Sequence, residues 1–346
     1  MAEYFDISKW NEKLWFGTKG SRNKFVVENP KTGKSFYFKT SLLKPDKDYK
    51  YEYWSEIIAS EIGQFLEYNI LRYDIAFHKT EMGCISEFMN TEGESELTEG
   101  IQYLTGYNNA YKPTLKESKK DYTFQFLCDA LKSFDFKGYI NDLIKIIIFD
   151  SLIGNSDRHQ ENWGIIIYSK EAVKLYKKEA KNKTYKYFHR ILLKLFGWIF
   201  ENLPYIPNPL KIKFHSLMPN KFAPIYDSGS CLGRELLDEK VKQMLSDENQ
   251  LQTYIKRGTS EIHWKGKKIS HFELIRKISK HYPDVVKAEI QRIKSIFTEA
   301  EISRIINDID KQLPTDKLEY KLPEDRKKLM IKMVSLRYIE LIKILD

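Results

Sequence analysis

The hydrophobic pattern of the first ninety residues predicts short strands and one helix. Two apolar segments, 25–27 and 35–39, flank a turn that contains Pro and Gly, which is the pattern of a β-hairpin. Between residues 51 and 66, apolar side chains recur at the spacing of one helix face. Two further short segments, 70–78 and 83–89, have β-type composition. These elements predict a small β-rich region with one packed helix.

The rest of the chain is predicted to be mainly helical. Helices are expected at 121–135 and 139–153, and the second segment is apolar almost all round, which indicates a buried helix. A polar stretch and then a short apolar strand, 164–168, follow it. Beyond residue 234 the pattern is helical, with prolines as breaks. Strands followed by helices indicate an α+β protein, and the acidic segment 90–100 is the natural boundary between its two parts.

The polar stretch between the apolar segments has the clearest chemical signal. It runs from residue 154 to 164 as GNSDRHQENWG. Asp157 and Asn162 have the spacing of the catalytic loop in phosphoryl-transfer enzymes, where the Asp receives the proton of the substrate hydroxyl and the Asn holds magnesium. Both groups must lie on one short loop because metal, phosphate and hydroxyl converge. On this spacing alone, a surface turn is an equal alternative.

Two features near the N-terminus suit the binding of phosphates. A loop rich in glycine and basic residues includes Gly20, Ser21 and Lys24, and such a loop can place N–H groups and cations over phosphates. Lys39 ends an apolar strand, where a nucleotide kinase places the lysine that binds the α- and β-phosphates. A plain hairpin loop and a solvated lysine are the alternatives.

A carboxylate and a hinge follow in the order that a kinase requires. Glu52 and Glu56 share one face of the predicted helix, and either could hold the lysine by an ion pair. The segment 83–89 would be the hinge of a two-lobed kinase, with backbone groups around Glu87 and Met89 offered to adenine. Exposed, solvated glutamates are the alternative for the helix.

An aspartate after the catalytic stretch completes the pattern. Asp227 ends a short apolar segment and is followed two positions later by a glycine. This D-x-G arrangement is that of a magnesium ligand, with Ser228 where protein kinases have Phe. A β-turn is the alternative. Although each signal is weak alone, their order along the chain is the order found in a two-lobed kinase.

The net charge of +9 belongs to one segment of the chain. Residues 169–221 contain twelve Lys or Arg and three Glu, an excess of nine that equals the net charge of all 346 residues. We therefore treat 169–221 as a basic insert. Its lysines are expected to dock an acidic partner or a membrane surface. An apolar helix predicted at 187–200 is expected to pack on the protein, and binding to a membrane or to a partner is the alternative. Direct binding of nucleic acid is not expected.

The cysteines and the N-terminus bear on the compartment. Three cysteines, Cys84, Cys128 and Cys231, are far apart and form neither a disulfide framework nor a zinc motif, which is typical of reduced thiols in a cytosol. The N-terminus lacks the features of a signal peptide, and no apolar run reaches the roughly 18 residues that cross a bilayer. We expect a cytoplasmic protein, with export by a non-classical route left open.

The combined motifs resemble the HipA-like serine/threonine kinases. The stretch 154–164 is close to the catalytic loop of that family, and Ala-Pro-Ile-Tyr-Asp at 223–227 resembles its metal motif. The resemblance runs from about residue 15 to 235. It implies a two-lobed protein-kinase-like fold, with a small β-rich N-lobe at 1–90 and a larger, mainly helical C-lobe at 91–346 that contains the basic insert.

The resemblance also implies a role for each candidate residue. The catalytic residues would be Asp157, Asn162 and Asp227. Asp157 would be the catalytic base, and Asn162 and Asp227 would be the Mg²⁺ ligands. Glu52 has the family's spacing from a later glycine, so it is preferred to Glu56 as the partner of the lysine. The residues expected to bind ATP are Gly20, Ser21, Lys24, Lys39, Glu52, Glu87, Met89 and His159.

Two departures from the family pattern concern regulation. The chain begins close to the phosphate loop, so we expect a short form without the extra N-terminal subdomain of full-length HipA toxins, as in split relatives where a separate small protein supplies it. Gly17 occupies the position of the serine that those toxins autophosphorylate. Thr18 and Ser21 are the alternative candidates for such a modification.

Three functions remain open on the sequence. The leading hypothesis is an ATP- and Mg²⁺-dependent protein serine/threonine kinase, which as a toxin would be held by a small antitoxin protein. The second is a phosphoinositide kinase, because that class shares the G-x-x-D-R-H-x-x-N pattern and the basic insert would suit anionic lipid. The third is a pseudokinase that binds nucleotide without catalysis.

Overall fold

The computed structural model describes residues 1–13, 24–44, 47–90, 94–168 and 208–346. Gly20 and Ser21 of the predicted phosphate loop lie outside the described residues, as do Thr18, the helix predicted at 187–200 and most of the basic insert. The chain divides into two compact units, which are described separately. The first unit comprises Met1–Phe88, Leu143–Arg158 and Pro224–Asp346, and the second comprises Met89–Asp142 and His159–Ala223.

The described elements confirm an α+β protein. The strands are β1 (Tyr4–Asp6), β2 (Asn11–Lys13), β3 (Lys24–Glu28), β4 (Ser35–Thr40), β5 (Leu43–Lys44), β6 (Lys47–Asp48), β7 (Asp74–His78), β8 (Glu81–Glu87), β9 (Glu96–Glu99), β10 (Gly164–Ile167) and β11 (Asn220–Phe222). The helices are α1 (Glu52–Phe65), α2 (Gly100–Tyr107), α3 (Phe124–Ser133), α4 (Ile140–Ile153), α5 (Asn208–His215), α6 (Asp238–Ser246), α7 (Glu248–Arg257), α8 (His271–Ser279), α9 (Pro283–Ile296), α10 (Glu299–Asp308) and α11 (Glu324–Ile342). None of these helices combines the length and apolarity needed to cross a membrane.

A curled six-stranded sheet forms the N-terminal part of the first unit, in the order β1-β7-β8-β4-β3-β2. The strands β1 and β2 are neighbours in the chain but lie at opposite edges of the sheet. The five residue steps from Asp6 to Asn11 span at most about 18 Å. Six flat strands would separate the edges by about 24 Å, so the sheet must curl. The curl encloses a core of Ile7, Val27, Phe38, Ala76 and Ile85.

The register of the sheet separates an apolar face from a polar one. Phe36 and Phe38 of β4 belong to the enclosed core, because alternate residues of a strand point to the same face. Tyr37 and Lys39 therefore point to the other face. The cross-strand neighbours of Lys39 are Lys24 on β3 and Cys84 on β8. The strand pattern thus places a buried lysine on the face opposite the aromatic core.

Helix α1 is held by a segment from the C-terminal part of the chain. It is buried along most of its length, including its three glutamates. Trp54 Nε1 and Tyr53 Oη both donate to the carbonyl oxygen of Tyr320, at 3.0 and 3.2 Å. Tyr320 ends the 3-10 helix Thr315–Tyr320. This segment fixes the helix that presents Glu56.

A buried ion pair anchors that segment in turn. Lys327 Nζ on α11 lies 2.9 Å from the Asp310 carboxylate, and both side chains are about 5% exposed or less. Asp310 Oδ2 also accepts a hydrogen bond from the backbone N–H of Leu322, at 3.1 Å. The Asp310 carboxylate therefore ties α11 to the residues that follow the 3-10 helix.

The second unit contains a three-stranded antiparallel sheet, in the order β11-β10-β9. Trp163 directly precedes β10 and stacks on Phe222, with ring centroids 6.2 Å apart. Its Nε1 donates to Tyr122 Oη at 3.0 Å. A Cβ at Gly100 would lie 2.2 Å from the Trp163 ring, so only glycine fits at the start of α2. The tryptophan thus joins the sheet to the helices of this unit.

Lys327→Met tests the anchoring pair. The substitution leaves the Asp310 carboxylate buried without its cation, so we expect the free energy of unfolding to fall by about 3–5 kcal/mol. Urea denaturation monitored by tryptophan fluorescence measures this loss. The double variant Lys327→Met/Asp310→Asn is the control, because it removes both charges and should recover most of the stability. Equal stability of Lys327→Met and the wild type would contradict the anchoring role.

Candidate functional site

Lys39 lies between two carboxylates in the first unit. Its Nζ is 3.1 Å from Asp227 Oδ1 and 3.7 Å from Glu56 Oε2. The same Nζ lies 5.3 Å from the centre of the Tyr73 ring, within the range of a cation–π contact. The side chains of Lys39 and Glu56 are 8% and 1% exposed, whereas that of Asp227 is 29% exposed. Of these three charged groups, Asp227 is the one most open to solvent.

Glu56, and not the preferred Glu52, is the helix carboxylate beside Lys39. Glu52 forms an ion pair with Arg234 and accepts a hydrogen bond from the backbone N–H of Leu42. Both glutamates lie on one face of α1, one turn apart, so the sequence pattern could not separate them. Packing of the helix against β4 and β8 brings the second turn to the lysine. The structure therefore corrects the preference for Glu52.

Glu56 also contacts the segment that follows Asp227. Its Oε1 accepts a hydrogen bond from the backbone N–H of Ser228 at 2.6 Å. A Cβ at Gly229 would lie 2.8 Å from Glu56 Oε2. The glycine of the D-x-G motif is thus explained here by the close approach of a carboxylate.

Asp227 has a backbone conformation that is unusual for its residue type. Its φ of +54° lies in the left-handed region, which costs a non-glycine residue on the order of 1–3 kcal/mol. Its backbone N–H donates to Tyr73 Oη at 3.3 Å. Burial, and after it the nearby Glu56 carboxylate, raise the pKa of Tyr73 above its ordinary value, so the hydroxyl stays protonated. Such strain is typical of functional sites.

The segment around Asp157 is held by buried polar contacts. Asn155 is fully buried, and its Nδ2 donates to Asp150 Oδ1 at 2.9 Å. Asn155 Oδ1 accepts from the backbone N–H of Asp157 at 3.2 Å. The backbone N–H of Ser156 donates to the carbonyl of Ser230 at 3.1 Å, and Ser230 Oγ lies 3.5 Å from Asp157 Oδ2. The Asp157 segment is thus tied to the chain three residues after Asp227.

Arg158 joins the same two segments from inside the protein. Its guanidinium is fully buried and binds both oxygens of Asp150, at 2.8 and 2.9 Å. It also donates to the carbonyl of Tyr226 and, at 3.0 Å, to Ser228 Oγ. Burial alone would lower the pKa of Arg158, but the ion pair with Asp150 raises it above the ordinary value. The sequence analysis had given no role to Arg158 or Asp150.

The second unit contains the other residues of the polar stretch. Asn162 is 4% exposed, and its backbone N–H donates to the carbonyl of His159 at 3.0 Å. His159 Nδ1 accepts from the backbone N–H of Glu161 at 3.2 Å. These bonds form a tight turn before Trp163 and β10. Met89, a candidate hinge residue, is half-buried in this unit.

Two other candidates lie on the sheet of the first unit. Lys24 is opposite Lys39 in the register, and its Nζ is 4.9 Å from the centre of the Tyr37 ring. Glu87 is exposed and forms an ion pair with Lys34 at 2.8 Å. Its neighbour Phe88 stacks on the Tyr37 ring, with centroids 4.1 Å apart. The structure thus gives Glu87 an ion-pair partner at the C-terminal end of β8.

The donors present fit a magnesium ion. Magnesium in nucleotide sites takes one or two carboxylates together with phosphate oxygens. Asp227 offers a partly exposed carboxylate next to a buried lysine, in a backbone conformation that is fixed by its neighbours. Asn162, the second ligand that the sequence resemblance implies, belongs to the second unit. Magnesium bound at Asp227 would neutralise phosphate charge.

These features define a protein-kinase-like fold, with a curled N-terminal sheet, a helix glutamate beside a strand lysine, and a mainly helical remainder. The chain is similar to the proinflammatory kinase CtkA of Helicobacter pylori, with a TM-score of 0.70 and 18% identity over 99% of this chain and 96% of that chain. It is also similar to the HipA toxin of Shewanella oneidensis MR-1, solved in a complex with HipB and operator DNA, with a TM-score of 0.51 and 13% identity over 96% of this chain and 66% of that chain. No family model matches the chain, and no curated protein matches it by sequence. The likeness to HipA-like kinases is confirmed at the level of the fold.

Gly229→Ala tests the close packing at the D-x-G motif. The added methyl group would lie 2.8 Å from the buried Glu56 carboxylate, so we expect the free energy of unfolding to fall by about 1–3 kcal/mol. Gly138→Ala is the matched control, because a Cβ there has no neighbour within 4 Å. Chemical denaturation of both variants measures the difference. Equal free energies of unfolding for the two variants would show that the Glu56 side chain can move aside without loss of stability.

Proposed function

We propose that this chain is an ATP- and Mg²⁺-dependent protein serine/threonine kinase of the HipA type. The observation that supports this proposal most directly is the contact of Lys39 with Glu56 and Asp227. A lysine held by a helix glutamate beside an aspartate is the arrangement with which kinases bind the phosphates of ATP. The similarity of the fold to CtkA and to the HipA toxin supports the same conclusion.

Each candidate residue has a task in this proposal. Lys39 neutralises phosphate oxygens, and Glu56 keeps its ammonium in place. Asp227 and Asn162 hold Mg²⁺, which reduces the charge repulsion between ATP and an attacking oxygen. Asp157 accepts the proton of the substrate hydroxyl, which makes that oxygen a better nucleophile. Backbone groups around Glu87 and Met89 would bind adenine, the loop with Gly20, Ser21 and Lys24 would cover the phosphates, and His159 would also bind ATP.

The finer sequence expectations belong to the same proposal. The N-lobe would comprise 1–90 and the C-lobe 91–346, with the insert at 169–221 as a docking surface. Thr18 and Ser21 are the candidates for autophosphorylation. The solved HipA toxin is in a complex with HipB, and a small antitoxin protein would likewise hold this chain if it acts as a toxin.

Asp157→Asn and Asp227→Ala should separate catalysis from nucleotide binding. The first change removes the proton acceptor, so we expect phosphoryl transfer to be lost while ATP binding stays nearly unchanged. The second removes a charged metal ligand, so Mg-dependent ATP binding and activity should fall together. Transfer of labelled phosphate is measured on the chain itself and on a generic Ser/Thr protein, and ATP affinity is measured by calorimetry.

Phosphoinositide vesicles, added as acceptor in the same assay, distinguish the three candidate functions. Labelling of lipid in place of protein would establish the phosphoinositide kinase. ATP binding without transfer to either acceptor by the wild type would establish the pseudokinase. Full activity of Asp157→Asn would remove that residue from the role of base.

Glu56→Gln and Glu52→Gln distinguish the two helix glutamates. Loss of the Glu56 charge frees Lys39, so we expect ATP affinity and turnover to fall about tenfold or more, as for a charge-assisted contact. Glu52→Gln weakens the pair with Arg234 and should lower the melting temperature with little change in turnover. The opposite ranking of the two variants in turnover would restore Glu52 as the partner of the lysine.

A further inference from the structure

Side chains outside the D-x-G motif hold the Tyr226–Ser228 segment around Asp227 by hydrogen bonds, which include the bond from the Ser228 N–H to Glu56 described above. The Asp227 N–H donates to Tyr73 Oη at 3.3 Å. The preceding carbonyl, that of Tyr226, and the following hydroxyl, that of Ser228, both accept from the Arg158 guanidinium. These contacts surround a residue whose φ of +54° is unfavourable for aspartate. Without them the chain would be expected to relax towards a more common conformation.

Tyr73 contacts Lys39 as well as Asp227. It precedes β7, is 3% exposed, and has its ring under Lys39 Nζ, 5.3 Å from the centroid. Its hydroxyl thus contacts Asp227 while its ring contacts the lysine that pairs with the same aspartate. One side chain therefore touches both the candidate phosphate lysine and the candidate metal ligand.

Arg158 contacts the two residues that flank Asp227, at the carbonyl of Tyr226 and the hydroxyl of Ser228. Because its charge is balanced by both oxygens of Asp150, the guanidinium is held rigidly and its remaining donors point at fixed positions. A ligand held in its binding conformation before the ion arrives binds it more tightly, since no ordering cost remains.

We propose that Tyr73 is a positioning residue which, with Arg158, holds Asp227 in the conformation that binds the divalent cation and so sets the affinity for Mg-ATP. This inference rests on the proposed function, in which Asp227 is a metal ligand. It gives the buried hydroxyl of Tyr73 a role in metal binding, although Tyr73 belongs to none of the sequence motifs.

Tyr73→Phe is the test, because it removes the hydroxyl and keeps the ring beneath Lys39. Binding of a non-hydrolysable ATP analogue is measured by calorimetry, once with Mg²⁺ and once with EDTA. We expect the affinity with Mg²⁺ to fall about three- to tenfold, the usual effect of one lost hydrogen bond, and the affinity in EDTA to stay unchanged. Ser228→Ala, which removes one acceptor of Arg158, should shift the Mg-dependent affinity in the same direction by a smaller factor.

Tyr254→Phe is the control. Tyr254 on α7 is half-buried, and its hydroxyl donates to Glu235 Oε1 at 2.6 Å, so its loss removes a tyrosine hydrogen bond that involves neither Lys39 nor Asp227 and should leave both affinities unchanged. On an Asp227→Asn background, Tyr73→Phe should have no further effect on the Mg-dependent affinity. A melting temperature that falls while the ratio of the two affinities is unchanged would overturn the proposal, as would an equal loss with and without Mg²⁺.

The same data separate this inference from the proposed function. If the wild type binds the analogue equally well with Mg²⁺ and with EDTA, or if Asp227→Asn matches the wild type, the metal assignment fails and the role of Tyr73 fails with it. If Asp227→Asn loses the Mg-dependent affinity and Tyr73→Phe does not, only the role of Tyr73 is overturned.

Discussion

The buried guanidinium of Arg158 is the constraint on which the candidate site depends. A charge that is fully removed from water is tolerated only when a partner and further hydrogen bonds compensate its lost hydration. Asp150 supplies the partner, and the carbonyl of Tyr226 and the hydroxyl of Ser228 accept further hydrogen bonds from the guanidinium. The compensation therefore cannot be complete unless the segment after α4 and the segment around Asp227 lie together. The need to compensate the buried charge of Arg158 thus holds together two parts of the chain that are about 70 residues apart.

The helix glutamate is constrained by packing as well as by charge. Glu56 reaches Lys39 because α1 lies against β4 and β8, and Gly229 leaves room for the carboxylate on the other side. The helix is itself held by two hydrogen bonds to the carbonyl of Tyr320. Kinases in general can lose activity when this glutamate moves away from the lysine. In this structure such a movement would have to break the contacts of Trp54 as well as the ion pair.

The sequence predicted the parts of the site that are encoded locally. Lys39 at a strand end and Asp227 before a glycine follow from short patterns, and the α+β class follows from the order of strands and helices. The strand β1 was missed because three residues carry too little periodicity. Glu56 could not be told from Glu52, since one turn of helix leaves both on the same face. Tyr73 gave no signal, because its contact with Asp227 spans 154 residues and only the folded chain contains it.

The discontinuity of the first unit has a consequence for synthesis on the ribosome. Its three chain segments are separated by the residues of the second unit, and Trp54 meets its partner 266 positions later. Contacts of such sequence separation form late, because the entropy of closing a long loop must be overcome first. A nascent chain that stops before Tyr320 leaves α1 without the hydrogen bonds that hold it. The candidate site therefore takes its final form only after Tyr320 has been synthesised and has reached Tyr53 and Trp54.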